Sequence, residues 1–69
     1  MITEDYYSRL LEEKQDLVTR LKKLEIFIQS QKFILLNNEE QSLLLRQQHH
    51  MSGYITVLEK RINHYLNAL

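Results

Sequence analysis

Apolar residues recur at three- and four-residue intervals along two long stretches of the chain. In the first, Tyr7, Leu10, Leu17, Leu21, Leu24 and Ile28 share one helical face, and Lys14 is the polar position in that seam. In the second, Leu44, Met51, Ile55, Leu58, Ile62, Tyr65 and Leu69 repeat the pattern, with Gln48 as the polar position. A stripe of this kind buries one helix against another. It predicts helix one over about 4–29 and helix two over about 39–67, joined by a connection over 30–38. The fold expected is an all-α antiparallel two-helix hairpin with a short connecting turn or helix, one domain spanning 1–69.

Local signals support those boundaries. Thr3 is placed to cap the first helix, with Glu4 and Asp5 in its first turn, where the helix dipole favours negative charge. Asp5–Arg9 and Asp16–Arg20 have the spacing of intrahelical ion pairs, with the acid before the base. At the end of helix one, Leu24, Ile26, Phe27 and Ile28 are apolar on more than one side, which suggests burial by two neighbours. Ser30 can cap a short turn holding Phe33, Ile34, Leu35 and Leu36, which read as a plug closing the hairpin; a continuous helix is the alternative. Asn37 with Glu40, or Asn38 with Gln41, has capping-box spacing at the next helix start. Gln48 and Lys14 fall at different heights of an antiparallel hairpin and are not expected to pair. Tyr6, Tyr7, Leu43, Leu45 and Leu66 lie off the main seams (Tyr7 at the very start of the first), leaving apolar surface for a second interface.

Composition adds an assembly. The chain has 69 residues, no cysteine, no proline and one glycine. A core of this size rarely supplies more than about 3–5 kcal/mol, and disulfides are excluded, so self-association into a homo-oligomeric bundle is expected. Nine Lys and Arg balance nine Asp and Glu. There is no basic excess for binding a nucleic acid polymer through counterion release. The longest apolar run, Phe33–Leu36, is far below the roughly 20 residues that span a bilayer. The N-terminus is acidic and lacks a signal-peptide pattern, so a cytoplasmic location is expected.

Candidate chemistry gathers between Gln47 and Arg61. His49 and His50 are adjacent and point about 100° apart, so they do not chelate together. His50 and His64 share a face about 21 Å apart along it. With the seam at heptad positions a and d, the three histidines fall on the solvent side; inter-subunit metal binding is the alternative to plain exposure. No metal site, cofactor or catalytic constellation emerges: there is no nucleophile–base pair, phosphate loop or paired carboxylates in an apolar setting, so no enzymatic activity is expected. Gly53, after Ser52, is either a tolerated mid-helix glycine or a point of close approach for a backbone or ligand. Gln47, Tyr54 and Arg61 are seven residues apart and form one stripe beside the seam. Tyr54 and Arg61 can meet a ligand, the ring stacking on a base and the guanidinium pairing with phosphate. Alternatively they pack at the boundary, Tyr54 over Met51 and Leu58, and Arg61 against an acid of helix one or of a neighbouring subunit.

Helix two can be written as Leu43-Leu44, Gln48, Met51, Tyr54, Leu58 and Arg61-Ile62, preceded by Leu24, Phe27-Ile28, Ser30, Phe33, Leu36 and Glu40. In this pattern, from roughly Leu10 to Ile62, the chain resembles a family of small helical accessory proteins of tailed phages, named for a relative in a gut crAss-like phage. The resemblance implies a phage-encoded, non-structural protein acting in the host bacterial cytoplasm. By analogy with small helical phage proteins that act on host defence, two binding functions are expected: inhibition of a host defence protein, or sequestration of a cyclic nucleotide signal. Tyr54 and Arg61 then carry the site, with Gln47 and Lys14 as polar contacts at a subunit junction. A purely structural or regulatory oligomerisation module without a ligand is the alternative.

Overall fold

The computed structural model describes residues 4–68. Thr3, expected as a cap, and Leu69, at the end of the second stripe, lie outside the described residues. Helix α1 spans Glu4–Ile28, α2 is a single turn at Gln31–Ile34, and α3 spans Asn38–Ala68. α1 ends at Ile28 and α3 begins at Asn38, where ends near 29 and 39 were expected. The molecule is a rod of 49 × 15 × 14 Å, the length of a 31-residue helix rising about 1.5 Å per residue. α1 runs antiparallel to α3: Tyr7 meets Tyr65, Lys14 meets Glu59 and Glu25 meets Gln48.

The seams are where the periodicity places them. Leu10, Ile55, Leu58, Ile62 and Tyr65 are buried, with Leu58 fully inaccessible. Leu17, Leu21, Leu24, Ile28, Leu44 and Met51 are half-buried. Fully burying a leucine contributes about 1.5–3 kcal/mol, so Leu58 anchors the cluster of Leu10, Leu58 and Ile62. Tyr7 does not lie off the core. It is half-buried against that cluster and stacks on Tyr65 at 5.1 Å between ring centroids.

The connection departs from the plug expected of it. Ser30, in extended conformation (φ −87°, ψ 163°), breaks the α1 helix, which removes the continuous-helix alternative. Its hydroxyl does not cap α2; it donates back to the Phe27 carbonyl at 2.6 Å. Only Phe33 and Leu36, three residues apart on one face of the turn, are half-buried. Ile34 is 71% exposed and Leu35 84% exposed. Ile26 is also exposed, while Phe27 and Ile28 are half-buried where α1 meets α2 and α3. The α3 start is capped as the Asn37–Glu40 spacing implies, the Glu40 N–H donating to Asn37 Oδ1 at 2.8 Å. Gln41 acts differently from a cap. Its amide donates to the carbonyls of Phe33 at 2.9 Å and Leu36 at 3.2 Å, tying the connection to α3; the Phe33 carbonyl also accepts from the Leu36 N–H at 3.1 Å.

Of the two expected intrahelical ion pairs, Asp5–Arg9 closes at 3.3 Å on the solvent face. Asp16 and Arg20 form no salt bridge among the described residues.

Candidate functional site

Polar contacts between α1 and α3 run along both edges of the seam. On one edge, the Arg61 guanidinium donates to the Tyr6 hydroxyl at 3.1 Å, and the Tyr54 hydroxyl donates to the Glu13 carboxylate. Tyr54 and Arg61 are one heptad apart on α3, and Tyr6 and Glu13 are one heptad apart on α1. The same rung is therefore built twice, two turns apart. On the other edge, Lys14 pairs with Glu59 at 3.2 Å, and the Gln48 amide donates to Glu25 at 3.4 Å. Adjacent residues on a helix point about 100° apart, so Glu13 and Lys14 reach α3 on opposite sides of the apolar seam. As expected from their heights, Lys14 and Gln48 do not pair with each other.

Beside the Tyr6–Arg61 rung lies an open groove of about 320 Å³, lined by Tyr6, Val57, Lys60, Arg61, His64 and Tyr65. Tyr65 is held by stacking on Tyr7 and by a tilted contact with Tyr6 at 6.0 Å. The groove thus combines fixed aromatic surface with two cations. The Arg61 pKa is raised above its ordinary value, chiefly by the hydrogen bond to Tyr6 and its electrostatic attraction, with Glu13 adding to the effect. Arg61 stays cationic wherever the protein is folded. A guanidinium has five N–H donors; the bond to Tyr6 fixes its position and leaves donors for an incoming anion. Aromatic faces beside a fixed guanidinium suit a ligand with a flat ring and a phosphate.

The residues singled out in the sequence divide. Arg61 lines the groove, and its partner is a phenol of α1, where an acid was expected. Tyr54 is exposed on the same edge, one heptad away and outside the groove; its hydroxyl is tied to Glu13 instead of simply covering Met51 and Leu58. Gln47 is exposed, and its amide contacts Met51 Sδ at 3.8 Å. Lys14 belongs to the opposite edge. Gly53 is exposed, and a Cβ built there meets nothing within 4 Å, so no other described segment approaches it closely. His49, His50 and His64 are exposed, as their heptad positions imply, and the first two rings touch edge to face at 5.6 Å. Among the described residues no group of three or more His, Cys, Asp or Glu is placed to hold a metal ion.

Tyr6, Val57, Lys60 and His64 were not singled out as site residues. The available signal was the spacing of Val57, Arg61 and His64, which share a side of α3 at i, i+4 and i+7. A second groove of about 440 Å³, lined by Phe27, Leu36, Glu40, Leu43 and Leu44, lies at the closed end of the hairpin.

Residues 4–64 match the family model of Sequestin. The chain belongs to the Sequestin family. Its name suggests sequestration, a function that needs a binding surface and no reacting group. The match takes in all of α1, α3 as far as His64, and all but one residue of the aromatic–cationic groove, Tyr65 falling just beyond it. No curated protein and no solved structure matches the chain. No described helix is long and apolar enough to cross a membrane.

Proposed function

We propose that this protein is a non-enzymatic, phage-encoded accessory protein that counters host antiviral defence in the bacterial cytoplasm by binding, and that it sequesters a cyclic nucleotide signal. It does so as a homo-oligomer. The observation that carries this reading is the Tyr6–Arg61 hydrogen bond at the groove, which fixes a guanidinium beside the Tyr6 and Tyr65 rings. The exposed Tyr6 ring, backed by the buried Tyr65, offers apolar surface to a base, and Arg61 with Lys60 offers charge to its phosphates. The family name points the same way. Sequestration holds its ligand without turnover, so the bound molecule is expected to leave unchanged.

Tyr54 and Lys14 fit a structural role better than ligand contact, because neither lines the groove and each is bonded across the hairpin away from it, to Glu13 and Glu59. Inhibition of a host defence protein through the same edge is the competing binding function. A thermal-shift screen with cyclic di- and trinucleotides separates the two. A ligand present at 100 times its dissociation constant stabilises the fold by about 2.7 kcal/mol. A clear rise in melting temperature with one member, lost in Arg61→Ala, is the expected result. No shift across the panel overturns nucleotide sequestration.

A further inference from the structure

Burial in the hairpin is lopsided. The buried residues Leu10, Ile55, Leu58, Ile62 and Tyr65 all sit toward the open end, and none of residues 11–54 is buried to that degree. The closed end carries the opposite feature, two adjacent and highly exposed aliphatic side chains, Ile34 and Leu35. Next to them is the groove of Phe27, Leu36, Leu43 and Leu44, whose one charged lining residue is Glu40.

We propose that the closed end docks a second copy of this chain, tip to tip about a two-fold axis. Ile34 and Leu35 of each copy enter the Phe27–Leu36–Leu43–Leu44 groove of the other. The inference rests on the homo-oligomeric part of the function proposed above and is independent of its nucleotide part.

Two observations favour a second copy over any other occupant, and a third favours docking at this end. Protrusion and groove are neighbours on one small surface, and a two-fold contact uses the same patch on both partners, so each copy fills the other's groove. The flanking charges are complementary. Lys32 immediately precedes the protruding pair and Glu40 lines the groove; neither forms a salt bridge among the described residues. The two-fold brings Lys32 of each copy to Glu40 of the other. The tip is also fixed before docking, because the Gln41 amide binds the Phe33 and Leu36 carbonyls and Asn37 caps α3. A preorganised surface loses little entropy on association.

Light scattering coupled to size exclusion, with sedimentation velocity, on the full chain tests this. The wild type is expected to run as a dimer at micromolar concentration. Leu35→Glu is expected to run as a monomer with unchanged far-ultraviolet circular dichroism, since that residue is 84% exposed in its own chain. Lys32→Glu and Glu40→Lys are each expected to weaken the dimer by about tenfold or more. The double variant K32E/E40K restores it. A monomeric wild type overturns the proposal, as does a Leu35→Glu variant that stays oligomeric or a double variant that fails to recover. Nucleotide binding is read separately, on the wild type: its presence or absence there judges sequestration and leaves the interface result intact.

Discussion

Arg61 and Tyr6, 55 residues apart in the chain, are joined by a 3.1 Å hydrogen bond from guanidinium to phenol at the groove. This bond holds a charge beside aromatic surface without neutralising it, as a carboxylate partner would. Arg61→Ala is therefore expected to abolish nucleotide binding with little change in melting temperature, because the side chain is exposed. Tyr6→Phe keeps the ring and the cation and is expected to weaken binding less. Calorimetric titration of both variants checks the order.

The raised Arg61 pKa adds a pH expectation. The protonated form is favoured, so its charge is present at all pH values below the raised pKa and is lost only above it. That point lies beyond the range in which such a chain is studied. Any contribution of Arg61 to anion binding is expected to stay flat from mildly acidic to mildly alkaline pH. A loss of Arg61-dependent affinity within that window, measured by the same titration, contradicts this role.

Core and tip predict opposite responses to truncation. Leu58 is fully buried, and Leu58→Ala is expected to cost about 2–5 kcal/mol. The core of a chain this small supplies about 3–5 kcal/mol, so that variant is expected to be largely unfolded by circular dichroism. Leu35→Ala, at an exposed position, is expected to change the stability of the isolated chain by no more than about 0.5 kcal/mol.

Gly53 faces open space, and its helix pays the entropic cost of a glycine. Gly53→Ala is expected to raise stability by about 1 kcal/mol in urea denaturation. Loss of assembly or of ligand in that variant would show instead that a second molecule approaches the helix there.

Lys14 and Glu59 are partly exposed, and a pair of that kind couples by less than about 1 kcal/mol. A double-mutant cycle with Lys14→Met and Glu59→Gln is expected to return that small coupling with nucleotide binding unchanged. Weakened binding in Lys14→Met would restore this residue to the site.

The hairpin was legible because helix packing is written in periodicity: Leu10, Leu58 and Ile62 are buried because their spacing leaves them no other face. The Asn37–Glu40 cap was legible for the same local reason. The site was less so. Arg61 could be picked from its place beside the seam, but its partner could not, because Tyr6 lies on the other helix and only the antiparallel register brings the two together. The same register split Lys14 from Tyr54 by placing Glu13 and Lys14 on opposite edges. At the connection, four consecutive apolar residues gave no direction. One turn of helix lets Phe33 and Leu36 face inward and leaves Ile34 and Leu35 outside.

The most direct test of sequestration is a depletion and release experiment. The protein is incubated with each cyclic nucleotide of a panel, the free pool is measured by filtration, and the complex is then heat-denatured and the filtrate analysed. Binding without turnover predicts stoichiometric depletion of one nucleotide by the wild type, none by Arg61→Ala, and full recovery of the unaltered molecule after heating. Failure to deplete any nucleotide, or recovery of a chemically altered one, contradicts it.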